Sequence, residues 1–386
     1  MTKALITGGI LTWARERAGI AVDSLSASVG VKPEVIVDWE SGKKYPTFNQ
    51  AQTLAKKLLI PFGYLFLSEP PTEVPQITDL RTVRNEERNK FSLEFQDVLN
   101  DALRKQNWYR EQILLEGAQP LSFIGRFSIN DRVEDVARNI QDTLGIDQGF
   151  RNSCISWEDF LTKFIERAES RGVLVLRNGV VRNNNRRKLS VQEFRGFVLS
   201  DQIAPLIFIN NNDAQAAKIF TLAHELAHLW IGESGVSNID PGRKADTPIS
   251  SIEKFCNQVA AEVLVPAKDF LASWDDQVSH QENVNNLCRV FRVSALVVLI
   301  RAKSLNKISS RLFYEEYSKK LSGQKRKAQP SGGDFRNTLP VRNSKTLTRA
   351  IISSALEGTT LYRDAARLLG VKVSTLNSLA SHLEIR

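Results

Sequence analysis

Two histidines and a glutamate share one short segment, His224-Glu225-Leu226-Ala227-His228, in the pattern H-E-x-x-H. On a helix, residues four positions apart lie on the same face, so the two imidazoles can bind one metal ion. The glutamate between them is placed to take a proton from a water at that metal. Two of the four histidines in the chain lie here. The alternative is a chance match on an ordinary core helix.

The segment that carries this motif, residues 220–231, reads FTLAHELAHLWI and is otherwise apolar nearly all round. Such a pattern predicts a buried helix. Burying two imidazoles and a carboxylate costs on the order of several kcal/mol unless a partner satisfies them. A zinc ion would satisfy all three groups.

A third zinc ligand is expected downstream, because catalytic zinc usually has three protein ligands and one open position. Residues 229–234 read LWIGES, which excludes the third histidine of a metzincin. We favour the helix predicted over 251–264, where Glu253 lies near the start and Asn257 follows one turn later on the same face. Glu262, on a different face, is the second choice. The downstream residues considered are Glu233, Asp240, Asp246, Glu253, Cys256, Glu262 and His280.

The elements around the motif predict a metallopeptidase-like arrangement. Residues 194–199 and 205–210 are rich in β-formers and read as paired strands, and Asp213 is placed to cap the following helix. A helix directly behind a strand would let a substrate peptide add to the sheet edge beside the metal. The basic stretch 182–188, RNNNRRK, reads as a solvated loop, with a nucleic-acid or substrate contact as the alternative.

The N-terminal region, residues 10–66, reads as four or five short helices with a helix, glycine turn, helix layout. Asp23 is expected to cap the second helix and Thr47 the fourth. The presumed recognition helix carries three acidic side chains at its surface or just beyond it, which would repel DNA phosphates. Specific DNA binding and protein docking are therefore both open. The candidate nucleic-acid contacts here are Lys32, Lys43 and Lys44.

Composition divides the chain further. Its 386 residues favour two or three domains. The net charge is +9, but residues 301–386 hold 17 Lys and Arg and 6 Asp and Glu, or +11, so the rest carries −2. The tail therefore predicts a small basic helical module whose turn, Gly370-Val371-Lys372, repeats Gly30-Val31-Lys32, with Lys372 as a candidate nucleic-acid contact. Packing against the peptidase as a cap is the alternative.

The fold class expected is mostly α with a small β-sheet, an α+β zincin-like core between an all-α helix-turn-helix and a small C-terminal helical module. The boundaries are residues 1–69 for the helix-turn-helix, 70–129 for a connector and bridging helix, and 130–321 for the peptidase domain. A linker at 322–340 and a basic helical domain at 341–386 follow.

Three scattered cysteines without a C-x-x-C pair fit a reducing compartment, and no apolar run is long enough to cross a bilayer. A cytoplasmic location is expected.

Two resemblances sharpen this interpretation. AGIAVDSLSASVGVKPEVIVDWESGKKYPT resembles the phage-repressor-like (XRE) helix-turn-helix family, although Val22 stands where that family often has Gln. IFINNNDAQAAKIFTLAHELAHLW, followed by IEKFCNQVAAEVLVP, resembles the ImmA/IrrE family of zinc-dependent metallopeptidases. The second resemblance implies zinc held by His224, His228 and Glu253, and Asn257 as the family's asparagine.

The ImmA/IrrE resemblance also implies a function. Members cleave a partner transcriptional repressor, so the expected partner is a protein substrate, with DNA as a second partner and no membrane. The leading hypothesis is a zinc endopeptidase that regulates transcription, with Glu225 as the general base. The alternatives are a DNA-binding regulator or antitoxin-like protein with a vestigial metal site, and a docking scaffold.

Overall fold

The computed structural model describes residues 2–71, 91–237, 251–325 and 334–385, with side chains omitted for 320–325. The chain forms two compact units, Met1–Ile77 and Thr78–Arg386. Asp240 and Asp246, and residues 72–90 of the predicted connector, lie outside the described residues. Among the described residues, no single helix has the length and apolar character to cross a bilayer. The helices His280–Phe291 and Ala295–Ser304 meet that test only when they are taken together across a bend of 111°.

The first unit consists of short helices around one apolar core. Thr47 caps the fourth helix, as predicted, and forms a capping box with Gln50. The Thr47 side chain accepts a hydrogen bond from the Gln50 backbone N–H, and the Gln50 side chain accepts one from the Thr47 backbone N–H. Asp23 does not cap the second helix, because that helix begins one residue earlier at Val22 with Ala21 as its N-cap. The elements are α1 (Gly8–Arg17), α2 (Val22–Val29), α3 (Pro33–Glu40), α4 (Phe48–Lys57) and a 3₁₀ helix (Phe62–Phe66).

The second unit is built on a mixed four-stranded sheet in the order β1-β5-β4-β6. β1 runs parallel to β5, and β4 pairs antiparallel with both β5 and β6. β4 and β5 are buried along their whole length, as expected for strands covered on both faces. The strands are β1 (Leu174–Asn178), β2 (Val180–Val181), β3 (Asn184–Lys188), β4 (Gly196–Leu199), β5 (Leu206–Asn210) and β6 (Gly235–Ser237).

The basic stretch 182–188 is not a loop, which corrects the prediction. β2 and β3 pair antiparallel as a short hairpin. Arg187 turns back onto the core and binds Glu94 and Asp97 at 3.0 and 2.6 Å. The composition of this stretch predicted a polar loop. A two-stranded ribbon exposed on one side lacks the alternation of apolar and polar residues by which a strand is recognised in a sequence.

Helices cover the sheet, and α9 follows β5 directly. α9 packs against α10, and both contact α6 and α13. The predicted bounds of the helix over 251–264 are confirmed. The helices are α5 (Leu93–Leu115), α6 (Val133–Leu144), α7 (Gln148–Asn152), α8 (Trp157–Ser170), α9 (Gln215–Trp230), α10 (Ser251–Leu264), α11 (Ala267–Ser273), α12 (His280–Phe291), α13 (Ala295–Ser304) and α14 (Ser310–Lys325).

The C-terminal module packs within the second unit. Its helices are α15 (Phe335–Asn343), α16 (Lys345–Leu356), α17 (Tyr362–Leu369) and α18 (Val373–His382). α15 contacts β1, and α16 and α17 contact α5. The linker expected at 322–340 is shorter than that range, because α14 extends into it from one side and α15 from the other.

Candidate metal centre

Helix α9 carries the H-E-x-x-H motif through the interior of the second unit. All residues from Ala216 to Trp230 are buried, which confirms the helix predicted from its apolar pattern. Asp213 does not cap it, contrary to expectation. Its carboxylate instead accepts both 2.8 Å bonds from the Arg195 guanidinium, since a buried charge needs a charged partner more than a helix end needs a cap.

Three ligand atoms converge beside α9. The Nε2 atoms of His224 and His228 lie 3.1 Å apart. Glu253, in the first turn of α10, places one carboxylate oxygen 3.2 Å from His224 Nε2 and the other 3.2 Å from His228 Nε2. The packing of α10 on α9 therefore unites the pair from one helix with a carboxylate from the next.

These separations fit a tetrahedral metal site. Two ligand atoms at about 2.0–2.1 Å from one tetrahedral ion lie about 3.3 Å apart, close to the three distances seen here. His224, His228 and Glu253 form the one group of three such residues within ligand distance in the described part of the chain. Two histidines and a glutamate form the set of protein ligands that is typical of catalytic zinc. The residues present therefore fit zinc.

A hydrogen bond from α10 orients the His224 imidazole, whereas His228 Nδ1 has no hydrogen-bond partner among the described residues. His224 Nδ1 donates to Asn257 Oδ1 at 3.1 Å, which leaves Nε2 free to bind the metal. Asn257 lies one turn after Glu253 on α10, so one helix face supplies both the ligand and the support. Gly235 in β6 lies behind His228, and a Cβ there would stand 3.4 Å from the imidazole Cε1.

Glu225 lies next to the cluster in full burial, and neither of its carboxylate oxygens has a hydrogen-bond partner among the described residues. Gly196 makes room for it. A Cβ at position 196 would stand 2.7 Å from Glu225 Oε1 and 2.8 Å from Thr221 Cγ2. Sequence reasoning missed Gly196, although a lone glycine in a strand pattern is a signal for close approach of another group.

Burial and the carboxylates shape the titration of the site. Burial raises the pKa of Glu225 to about 8, against the opposing effect of His224. Burial would likewise raise the pKa of Glu253, but the two imidazoles outweigh it and lower that pKa. The pKa of His224 is raised, because Glu253 and Glu225 outweigh burial, whereas burial lowers the pKa of His228. A cation among the three ligands would favour the ionised form of Glu225.

The other described candidates for the third ligand lie outside this group. Glu262, the second choice, forms an ion pair with Arg301 and accepts from the Ala267 backbone at 3.1 Å. Cys256 is fully buried, and burial raises the pKa of its thiol, which favours the neutral form over a metal-binding thiolate. Neither Glu233 nor His280 belongs to the converging set.

The lysines predicted to contact nucleic acid in the first unit are all exposed. Lys32 is the N-cap residue of α3, and Lys44 forms a 2.8 Å ion pair with Asp38. Glu40 is also neutralised, because it binds Arg15 of α1 at 2.6 Å. Two of the three acidic side chains of α3 are therefore paired with basic side chains of the same unit, and Glu34 is the exposed acidic residue that remains on this helix.

Comparison with known families agrees with these domains. Residues 11–65 match a helix-turn-helix family model, residues 168–303 match a peptidase-family model described as the IrrE N-terminal-like domain, and residues 343–382 match a domain of unknown function (DUF8813). The chain matches no curated protein and no solved structure.

The matches define the class of protein. The chain carries an N-terminal XRE-type helix-turn-helix domain fused to an ImmA/IrrE-type domain, as its motifs predicted. All three ligand residues and Glu225 lie within the peptidase-family match. The combination is that of a DNA-binding regulator with a peptidase-like domain.

Proposed function

We propose that this protein is a zinc-dependent endopeptidase that regulates transcription by cleaving a partner repressor in the cytoplasm. The observation that carries the proposal is the convergence of His224, His228 and Glu253 on one point with Glu225 beside them. A purely structural core helix would gain nothing from three buried polar groups held in this geometry beside a half-buried carboxylate.

His224, His228 and Glu253 would hold the zinc ion, and Asn257 would keep the His224 ring in place. When bound, zinc activates water and polarises the carbonyl of the peptide bond to be cut. Glu225 accepts the proton of the attacking water and later delivers it to the leaving amine. Burial raises the pKa of Glu225 to about 8 in the metal-free site, and an adjacent cation would favour its ionised form, which is the form that can accept a proton.

The sheet edge supplies a place for the substrate backbone. β6 is the last strand of the sheet, and its one pairing partner among the described strands is β4. Gly235 of β6 lies against the His228 ring. A peptide added alongside β6 would run past the metal ligands with its backbone hydrogen-bonded, which suits an extended protein segment better than a folded domain.

The helix-turn-helix domain would bring this activity to a promoter or to a DNA-bound partner. Pairing of Asp38 with Lys44 and of Glu40 with Arg15 removes most of the repulsion that the α3 sequence predicts. Lys32 and Lys43 are exposed and are available for phosphate contacts.

The proposal is tested with Glu225→Gln in the full chain, with Glu158→Gln on the exposed surface of α8 as the matched control. Both variants and the parent protein are loaded with zinc and their metal content is measured. Each is co-expressed with transcription factors encoded by neighbouring genes, and new N-termini are mapped by mass spectrometry. We expect cleavage by the parent protein and the Glu158 variant, and none by the Glu225 variant at equal zinc content.

The alternative function is a DNA-binding regulator, antitoxin-like, whose metal site is vestigial. This alternative would be supported if the protein binds zinc but the parent protein produces no fragment that is missing with the Glu225→Gln variant. Absence of zinc from a folded, metal-supplemented sample would contradict the peptidase proposal outright.

A further inference from the structure

The C-terminal module contains a second helix-turn-helix. α17 ends at Gly370, which adopts a left-handed conformation at φ 69° and ψ 33°, and Gly30 ends α2 in the same way at φ 76° and ψ 38°. A valine and a lysine follow each glycine, and the lysine is the N-cap residue of the next helix in both modules. α16 packs against α17 and α18 as the supporting third helix.

The second helix of this motif presents a surface suited to base edges. The segment of α18, VSTLNSLASH, contains no acidic residue, whereas the corresponding α3, PEVIVDWE, contains three. The polar residues Ser374, Asn377 and Ser381 of α18 are exposed, and Leu376 and Leu379 are buried against the module. Asn and Ser are among the side chains by which a recognition helix hydrogen-bonds to base edges in the major groove.

The basic hairpin of β2 and β3 lies beside the start of α18. Asn183 in its turn donates to the Gly370 carbonyl at 2.5 Å and accepts from Arg342 at 2.9 Å. Because side chains alternate along a strand, Arg186 and Lys188 point away from the face on which Arg187 is anchored. Both are exposed. The hairpin is therefore tied at its turn to the helix-turn-helix, with two free basic side chains on its outer face.

We propose that α18 and the β2–β3 hairpin together form a second site for double-stranded DNA. α18 enters the major groove, and Arg186 and Lys188 contact the phosphates beside it, in the way that a wing supports a recognition helix. Lys372 at the start of α18 adds a third positive charge to the same surface. The site is independent of the peptidase activity proposed above and gives a role to the domain of unknown function matched at 343–382.

The phosphate contacts are tested by fluorescence anisotropy with the full chain and a mixed-sequence DNA duplex of about three helical turns. Arg186→Ala/Lys188→Ala removes two positive charges from the proposed surface. We expect weaker binding and a fall of about 2 in the magnitude of the log–log salt slope, since each phosphate contact contributes about 0.9. Arg132→Ala/Arg138→Ala, which removes two exposed arginines paired within α6, is the matched control and leaves the slope unchanged.

The base contacts are tested with duplexes that the parent protein selects from a random pool. Asn377→Ala is expected to weaken binding to the selected sequence by about 10- to 100-fold and to leave binding to the mixed-sequence duplex unchanged. Lys32→Ala/Lys43→Ala measures the share of binding that comes from the first unit. Thermal unfolding of every variant shows that the fold is retained.

Two results would overturn the proposal. One is an Arg186→Ala/Lys188→Ala protein with the parent's affinity and salt slope, while Lys32→Ala/Lys43→Ala abolishes binding. The other is a preference of the same surface for duplex RNA over duplex DNA of matched sequence, since an A-form major groove is too narrow to admit α18.

Discussion

Helix α10 carries two half-buried glutamates that the structure uses in opposite ways. Glu253, in the first turn, places its two carboxylate oxygens near the Nε2 atoms of His224 and His228. It lies beside Glu225, whose carboxylate oxygens have no hydrogen-bond partner among the described residues. Glu262, nine residues later, meets the Arg301 guanidinium and the Ala267 backbone N–H. Burial lowers the pKa of Arg301 to about 10, so the arginine still carries its charge at neutral pH.

The difference separates a structural charge from a functional one. At Glu262 the chain itself supplies the opposite charge and the hydrogen bonds, so the carboxylate is satisfied. At Glu253 the nearest groups are two imidazoles, and His228 Nδ1 and both oxygens of Glu225 have no hydrogen-bond partner among the described residues. Buried polar atoms are normally satisfied, and a group of them that is not satisfied by protein indicates a place for an ion.

Removal of Glu253 should have the largest effect on zinc. Glu253→Ala removes one of the three proposed ligands. Loss of a residue that supports a ligand lowers metal affinity by about 10- to 100-fold, and we expect a larger fall in zinc affinity here. Chelator competition measures this directly. The zinc-dependent rise in melting temperature should also disappear, because that rise depends on the ratio of free zinc to its dissociation constant.

Glu158→Ala on α8 is the control for this substitution, and it should keep the parent's zinc affinity. Unchanged affinity in Glu253→Ala would exclude Glu253 as a ligand and leave Asp240 and Asp246, the two downstream candidates outside the described part of the chain, to be tested in its place.

Removal of Glu262 should affect stability instead. Glu262→Ala leaves the Arg301 charge buried without its partner, and we expect a loss of about 3–5 kcal/mol in the free energy of unfolding, measured by urea titration of the metal-free protein. The double variant Glu262→Met/Arg301→Met should recover most of that loss. If the double variant is no more stable than Glu262→Ala, the ion pair is not the source of the effect.

A substitution at Gly196 should separate catalysis from metal binding. In Gly196→Ala the new methyl group would overlap Glu225 Oε1 and Thr221, so Glu225 must move. Displacement of a catalytic group by about 1 Å can cost about 10²-fold in rate, and we expect a loss of that order in cleavage. Zinc content should stay at the parent level, because the three ligands lie elsewhere. A variant with parent activity would show that Glu225 does not need its observed position.

The grouping of His224, His228 and Glu253 could be predicted in part from sequence, because the spacing within each helix is local. His224 and His228 share one helix face, and Glu253 and Asn257 share another, so periodicity alone pairs them. The meeting of the two faces was not visible in the spacing, and the family resemblance supplied it. The pairing of Glu262 with Arg301 joins residues 39 positions apart in the chain, and no short-range sequence pattern predicts it.

Two of the errors have one physical origin. Asp23 and Asp213 were both expected to cap helices, as their residue type favours. α2 begins before Asp23, whereas Asp213 binds Arg195 instead. At Asp213 local propensity was overruled by a residue whose position in space the sequence does not reveal. The β2–β3 hairpin was missed for the same reason, since its support comes from Glu94 and Asp97 on α5.

The smallest expected effect tests the support that α10 gives to the ligands. Asn257→Ala removes the acceptor that holds His224 Nδ1, so the ring can rotate and Nε2 loses its fixed direction. We expect zinc affinity to fall by about 10- to 100-fold, less than in Glu253→Ala. Asn257→Asp keeps an acceptor oxygen at the same position and should restore most of the affinity. Asn285→Ala, at an exposed position on α12, should have no effect. If Asn257→Ala and Asn285→Ala bind zinc equally well, the His224 ring is held by packing alone, and α10 contributes one residue to the site instead of two.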